Sequence, residues 1–347
     1  MFDFQNEERK ESTGTQIDWD ARREYMVANC GTADASESTI AIISSIVDCG
    51  LQVQEDAKME FNGTPADEAK VLAEEQEKYN REPTQYFETL EDDKGVMKRY
   101  KRWPVEPVRS YAVFVDIPGI MLDQGQFFGE EPGTLRPLRL MLNGEWNEAG
   151  AGKIVNKRGY VIREKKFETK DGNKYGLAKT NTLHKLAEAT DNLNEYGLFK
   201  PNMLGSLLGK AVLVDYRVFT TESGGKKYLN ERVSLQGKVP SMMKAMIPTL
   251  DKQFITGVAF KGVQNEATLK EVRQSVINTM KMATDFKGST LEAALIKIGK
   301  VKAADAAPQQ TQQAEPQKPA AQEKPVAQQQ APAPKADFDA FDDDLPF

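Results

Sequence analysis

Between residues 110 and 239 the chain is a succession of short apolar segments, each cut by glycine, proline, asparagine or aspartate. "SYAVFVDIP" (110–118), "PLRLMLN" (137–143), "GYVIREKKFET" (159–169), "NKYGLAKT" (173–180), "GKAVLVDYRVFTT" (209–221) and "KKYLNERVSLQGKV" (226–239) all read as strands. "KDGN" (170–173) and "SGG" (223–225) supply hairpin turns. An earlier β-rich run, "STIAIISSIVDCGLQVQ" (38–54), meets a turn signal at Cys49-Gly50. Helical spacing lies around this texture: 17–30, 181–192, 201–208, 266–286 and 289–299. "PADEAKVLAEEQEKYNREP" (65–83) is acidic, helix-forming and bounded by prolines, as a solvent-facing insertion would be.

The expected fold is therefore mainly β with peripheral helices (α+β), an OB-fold-like Greek-key barrel with insertions and a disordered C-terminal tail. A small β-sandwich is the competing architecture. The expected organisation is an N-terminal segment (1–34) and a core over 35–258 with an acidic helical insertion near 54–100. C-terminal helices (259–302), an Ala/Pro/Gln linker (303–336) and an acidic tip (337–347) follow. Val326 is the only large aliphatic residue of the linker, which cannot bury enough apolar surface to offset its chain entropy. As a coil, its 34 residues span roughly 30 Å. No apolar run is long enough for a membrane span, and "MFDFQNEERKE" carries no secretory h-region. Cys30 and Cys49 sit in no ligand pattern, and the expected setting is the cytoplasm.

Charge is strongly segregated. Residues 1–95 carry a net −14, residues 96–302 a net +13, and residues 303–347 a net −5. A basic middle attracts phosphates, and three stretches within it interleave cations with rings. The densest, 152–179, offers Lys153, Lys157, Arg158, Tyr160, Arg163, Lys165, Lys166, Phe167, Lys174 and Tyr175. A second follows the glycine turn: Lys226, Lys227, Tyr228 and Arg232. The third, "MKRYKRWPVEP", holds Arg99, Lys101, Arg102 and Trp103. Cations neutralise phosphates without reading sequence, and each ring gives an extruded base a surface to stack on. Catalysis has little footing: there is one histidine, His184, and no P-loop, GxSxG or HExxH motif. No catalytic residue, metal or cofactor is expected.

The chain ends on "DFDAFDDDLPF", five aspartates with Phe338, Phe341, Pro346 and Phe347 among them. A terminal phenylalanine puts a ring and a free carboxylate on one residue, suited to an apolar pocket with a basic lip. "FDDDLPF" (341–347) resembles the tip of the bacterial single-stranded DNA-binding proteins, which follows a Gly/Pro/Gln-rich linker. The resemblance implies an OB-fold domain that coats single-stranded DNA. It also implies that Asp342, Asp343, Asp344, Pro346 and Phe347 recruit replication, recombination and repair proteins, with Leu345 at the variable aliphatic position. Those proteins open on a compact OB domain, and nothing like it opens this chain, so the DNA contacts rest on charge and ring pattern alone. "IISSIVDCGLQ" (42–52) and "LLGKAVLVDYRVFTTESGGKKYLNERVSL" (207–235) are similar to the first strand and closing hairpin of phage-encoded replication proteins.

The expected partners are single-stranded DNA and, through the tip, a polymerase, helicase, primase or nuclease. For a phage-encoded chain, the setting would be the host cytoplasm. An acidic-tailed scaffold or inhibitor that never touches DNA, and a nuclease or annealing factor, remain the alternatives.

Overall fold

The computed structural model describes residues 17–302, apart from 33–34, 93, 129–130, 143–147, 150–152, 155–160 and 169–174. The linker and the tip lie outside the described residues. Helix α1 (Trp19–Cys30) starts at Asp18, whose side chain accepts the amide hydrogen of Ala21. Strand β1 (Glu37–Gln52) is buried on both faces over most of its length. It does not end at Cys49-Gly50. Gly50 adopts φ +78°, the β1–β5 register shifts between Asp48 and Leu51, and a Cβ there would meet the Phe260 ring at 2.6 Å. The turn signal marks a bulge inside a strand.

An excursion then leaves the main body: β2 (Ala57–Glu60), α2 (Pro65–Tyr79), β3 (Tyr86–Glu91) and β4 (Met97–Trp103). Its three strands form a separate sheet, ordered β2-β4-β3. Thr64 and Asp67 cap α2 reciprocally in a capping box. The insertion is thus part sheet, not helix alone.

Strand β5 (Val108–Asp123) runs past Pro118, where the sequence pattern would stop it; a register shift against its neighbour between Ile117 and Met121 absorbs the proline. After α3 (Gly125–Phe128) comes β6 (Leu135–Leu142), then the short strands β7 (Glu148–Ala149), β8 (Lys153–Ile154), β9 (Ile162–Arg163), β10 (Lys166–Glu168) and β11 (Tyr175–Leu177). The stretch 159–169 divides because β9 pairs with β5 while β10 pairs with β11. At the break Glu164 turns inward and accepts the Tyr111 hydroxyl at 2.7 Å. Helix α4 (Thr182–Ala189) and a 3-10 turn at Pro201–Leu207 lead to the long hairpin β12 (Ala211–Ser223) and β13 (Lys226–Gly237). Strand β14 (Thr256–Val258) and helices α5 (Glu266–Glu271), α6 (Gln274–Lys281) and α7 (Thr290–Lys297) close the described chain.

The large sheet has the order β13-β12-β1-β5-β6, antiparallel throughout, with β14 added in parallel to β1 and β9 antiparallel to β5. Its ends approach: β6 and β13, which point the same way once the antiparallel pairs are chained, bring Cα atoms within 8 Å of one another. The inner face holds one core, with Ile43, Val113, Val115, Leu138, Leu140, Val214 and Val233, plugged by Met26 of α1 and by Leu183 and Leu186 of α4. The outer face of β1 and β5 holds a second, where Val47, Ala112 and Phe114 meet Phe260, Leu269, Ile277, Met280, Leu291 and Leu295. The C-terminal helices therefore pack on the outside of the sheet.

Candidate nucleic-acid interface

The β12–β13 hairpin turns on Gly224-Gly225, with φ +59° and +77° between the pair Ser223 and Lys226. Two successive positive φ values give the turn whose twist matches the flanking strands. Side chains alternate across a strand, so Lys226, Tyr228, Asn230 and Arg232 share a face with their partners Ser223, Thr221, Phe219 and Arg217. Lys227 belongs to the opposite face, with Leu229 and Val233, and its carbonyl accepts from Arg23 of α1. The sequence-predicted residues Lys226, Tyr228 and Arg232 are thus brought together, and Lys227 is set apart.

Two residues on that face, Arg217 and Phe219, were not singled out by sequence. The Arg217 guanidinium lies 4.2 Å from the Phe219 ring centre and that of Arg232 lies 5.3 Å from it. Arg217 and Arg232 are directly opposed across the two strands, and among the described residues neither has a carboxylate within 4.0 Å. The signal that could have found them is the alternation in "YRVF", where Arg217 and Phe219 alternate with the inward-facing Tyr216 and Val218.

The third basic stretch folds as β4, the middle strand of the excursion. Arg99 makes a bidentate pair with Glu68 of α2 at 2.7 and 2.8 Å, and this holds the Glu68 carboxyl below its usual range. Arg102 meets Glu88 at 2.7 Å and stacks over Tyr86 at 5.7 Å; Lys98 meets Glu60 at 3.0 Å. Lys101 lies 5.7 Å from the Trp103 ring centre. Of this stretch's candidates, Arg99 and Arg102 are engaged by the acidic strands and helix around them.

Of the densest stretch, Lys157, Arg158, Tyr160 and Lys174 lie outside the described residues. Lys153, Lys166, Phe167 and Tyr175 fall on β8, β10 and β11. Arg163 and Lys165 are exposed, Arg163 donating to the Gln54 side chain at 2.6 Å. The tip residues Phe338, Phe341, Asp342, Asp343, Asp344, Leu345, Pro346 and Phe347 also lie outside the described residues.

The described residues contain no group of three His, Cys, Asp or Glu side chains placed to hold a metal, and no helix long and apolar enough to cross a membrane. His184 is buried against the core, and desolvation lowers its pKa. Burial pushes both thiols, Cys30 and Cys49, up to about 12, so neither forms a thiolate nucleophile near neutrality. The open groove along α1 carries Asp18 and Glu24, the wrong sign for a phosphate backbone. No family model, no curated protein and no solved structure matches this chain.

Proposed function

We propose that the chain is a single-stranded DNA-binding protein built on an OB-like barrel, which coats the strand without sequence preference and recruits replication or recombination proteins through its acidic tip. The strand order supports the barrel. Taking β1, β5, β6, β12 and β13 as first to fifth, the sheet reads 5-4-1-2-3 with the third and fifth approaching. That is a Greek-key winding; an up-and-down barrel would keep chain order. In OB domains the connections between the first two and the last two strands carry oligonucleotide contacts. Here those connections are the excursion and the Gly224-Gly225 hairpin, and in both cations lie over rings.

The observation that carries the reading is the outer face of the hairpin, where the sequence-predicted Lys226, Tyr228 and Arg232 line up with a further ring and a further arginine. Phosphates would be neutralised by the cations and bases received by the rings, with no covalent step and no cofactor. Partner proteins would read the tip's aspartates, Pro346 and Phe347.

The test is a titration of dye-labelled oligo-dT with the full chain and with a chain ending at Ala336, at low and moderate salt, with duplex DNA as competitor. The expected result is tight, salt-sensitive binding that duplex does not compete away and that survives loss of the tip. Absence of binding by either chain would overturn the proposal in favour of a scaffold that never contacts DNA.

A further inference from the structure

The outer face of β5 and β6, the second and third strands, is where an OB domain ordinarily receives an oligonucleotide. In this chain it is covered. Phe114 of β5 lies under the Arg273 guanidinium at 5.3 Å and packs in the core built by α5, α6 and α7. Asp116 is 0% exposed and clamped by Arg139, which also donates to the carbonyl of Phe254 at 2.9 Å. Arg136 meets Glu271 of α5 at 2.5 Å, and Arg273 donates to the Arg139 carbonyl at 2.9 Å. The cover is fastened at its far end too: Arg109 bridges Asp48 and Asp285, and Thr284 donates to the Leu51 carbonyl at 2.9 Å. A strand of DNA cannot lie on β5–β6 without displacing a hydrophobic core.

The face of β12–β13 is different in kind. Its outward row is half-buried to exposed, and it sets two arginines directly opposite one another, an arrangement that destabilises a sheet unless something anionic lies between. The Nε of Arg217 is buried and has no hydrogen-bond partner. Both guanidiniums lie close to one ring, Phe219, which is only part-buried and sits one outward pair further along the hairpin. Two phosphate-seeking groups beside one stacking surface fit a nucleotide of a single strand: the base on the ring, the adjoining phosphate on the arginine pair.

We propose that the single strand crosses the outer face of β12–β13, with Phe219 as a base-stacking residue and Arg217 and Arg232 as phosphate contacts, and does not cross β5–β6. This rests on the DNA-binding reading above and replaces the path that an OB-like barrel alone would suggest.

The experiment is equilibrium binding of dye-labelled oligo-dT by the full chain over a series of salt concentrations. Phe219→Leu keeps apolar volume but removes the ring. It is expected to weaken binding about tenfold or more, and Phe219→Trp to hold it. Arg217→Gln with Arg232→Gln is expected to weaken binding and to flatten the salt slope by about 0.7 per lost phosphate contact. Lys270→Gln with Lys287→Gln, on α5 and on the turn between α6 and α7 in the segment that covers β5–β6, is expected to leave both quantities unchanged. Each variant's melting curve is run alongside, so that a fold defect is told apart from a lost contact. If the parent chain binds tightly and Phe219→Leu binds equally well, or if the loss follows Lys270 and Lys287 instead, the proposed path is wrong while the proposed function stands. If the parent chain does not bind at all, the function itself fails.

Discussion

The β2-β4-β3 excursion and the β12–β13 hairpin share a sequence texture, cations interleaved with tyrosine, tryptophan or phenylalanine, and both fold as antiparallel sheet. They differ in what faces the cations. In the excursion Arg99, Arg102 and Lys98 each meet a carboxylate, from Glu68, Glu88 and Glu60. In the hairpin Arg217 and Arg232 meet each other and a ring. A basic run by itself therefore does not report a basic surface; what sits across the strand decides. The segregated charges of the sequence teach the same thing, because Glu60, Glu68 and Glu88 belong to its acidic first part and their partners to its basic middle. Folding cancels part of that field internally, whereas Arg217 and Arg232 of the hairpin have no described carboxylate within 4.0 Å.

If paired arginines are structural and unpaired ones serve a ligand, the largest effect on stability belongs to the most buried pair. Arg139 holds Asp116, whose only other polar contact among the described residues, besides the backbone, is the Ser44 hydroxyl at 2.7 Å. Arg139→Ala strands a carboxylate in the protein interior and is expected to cost about 3–5 kcal/mol in urea unfolding. It also removes one fastening of the C-terminal segment from β6. Arg102→Ala, beside a half-exposed Glu88, is expected to cost far less. Equal losses for the two would show that burial does not separate the regions as claimed.

Much of this contrast was legible in the sequence and some of it was not. The Gly224-Gly225 turn, the two flanking strands and the helices at 19–30, 182–189 and 290–297 follow from turn chemistry and apolar periodicity. The excursion's sheet does not. "MKRYKRW" has no apolar alternation to announce a strand, since its cross-strand neighbours hold it by ion pairs and by cations over rings, as Lys58 lies over Tyr100 at 5.5 Å. Likewise 266–286 reads as one helical stretch and is two helices. The break falls where Arg273 leaves helical geometry and reaches the carbonyl of Arg139, a residue 134 positions earlier. The site was half visible: Lys226, Tyr228 and Arg232 follow a recognisable turn, whereas Arg217 and Phe219 become its partners only through register.

A substitution can turn the hairpin toward the excursion's state. Asn230 lies on the same face as Arg232, two residues along β13, opposite Phe219 and diagonal to Arg217. Asn230→Glu would set a carboxylate beside both arginines. The expected outcome is a gain of about 0.2–1 kcal/mol in stability together with weaker, less salt-sensitive oligo-dT binding, while Asn230→Gln leaves the salt slope unchanged. A loss of affinity without the gain in stability would mean that the new charge merely repels phosphate, and that the opposed arginines were not strained in the first place.

The smallest effect should come from the excursion itself. With Glu68 and Glu88 already holding them, Arg99 and Arg102 have little left to offer a phosphate, because a new contact must first break a short charge-assisted hydrogen bond. Arg99→Gln with Arg102→Gln is therefore expected to leave the salt slope of oligo-dT binding where it was, although two formal positive charges are gone. A slope that falls by about 1.4, the value for two lost contacts to a single strand, would place the DNA on the excursion as well. It would also mean that the acidic partners hand their arginines over on binding, which makes pairing in the free protein a poor guide to which cations a ligand can recruit.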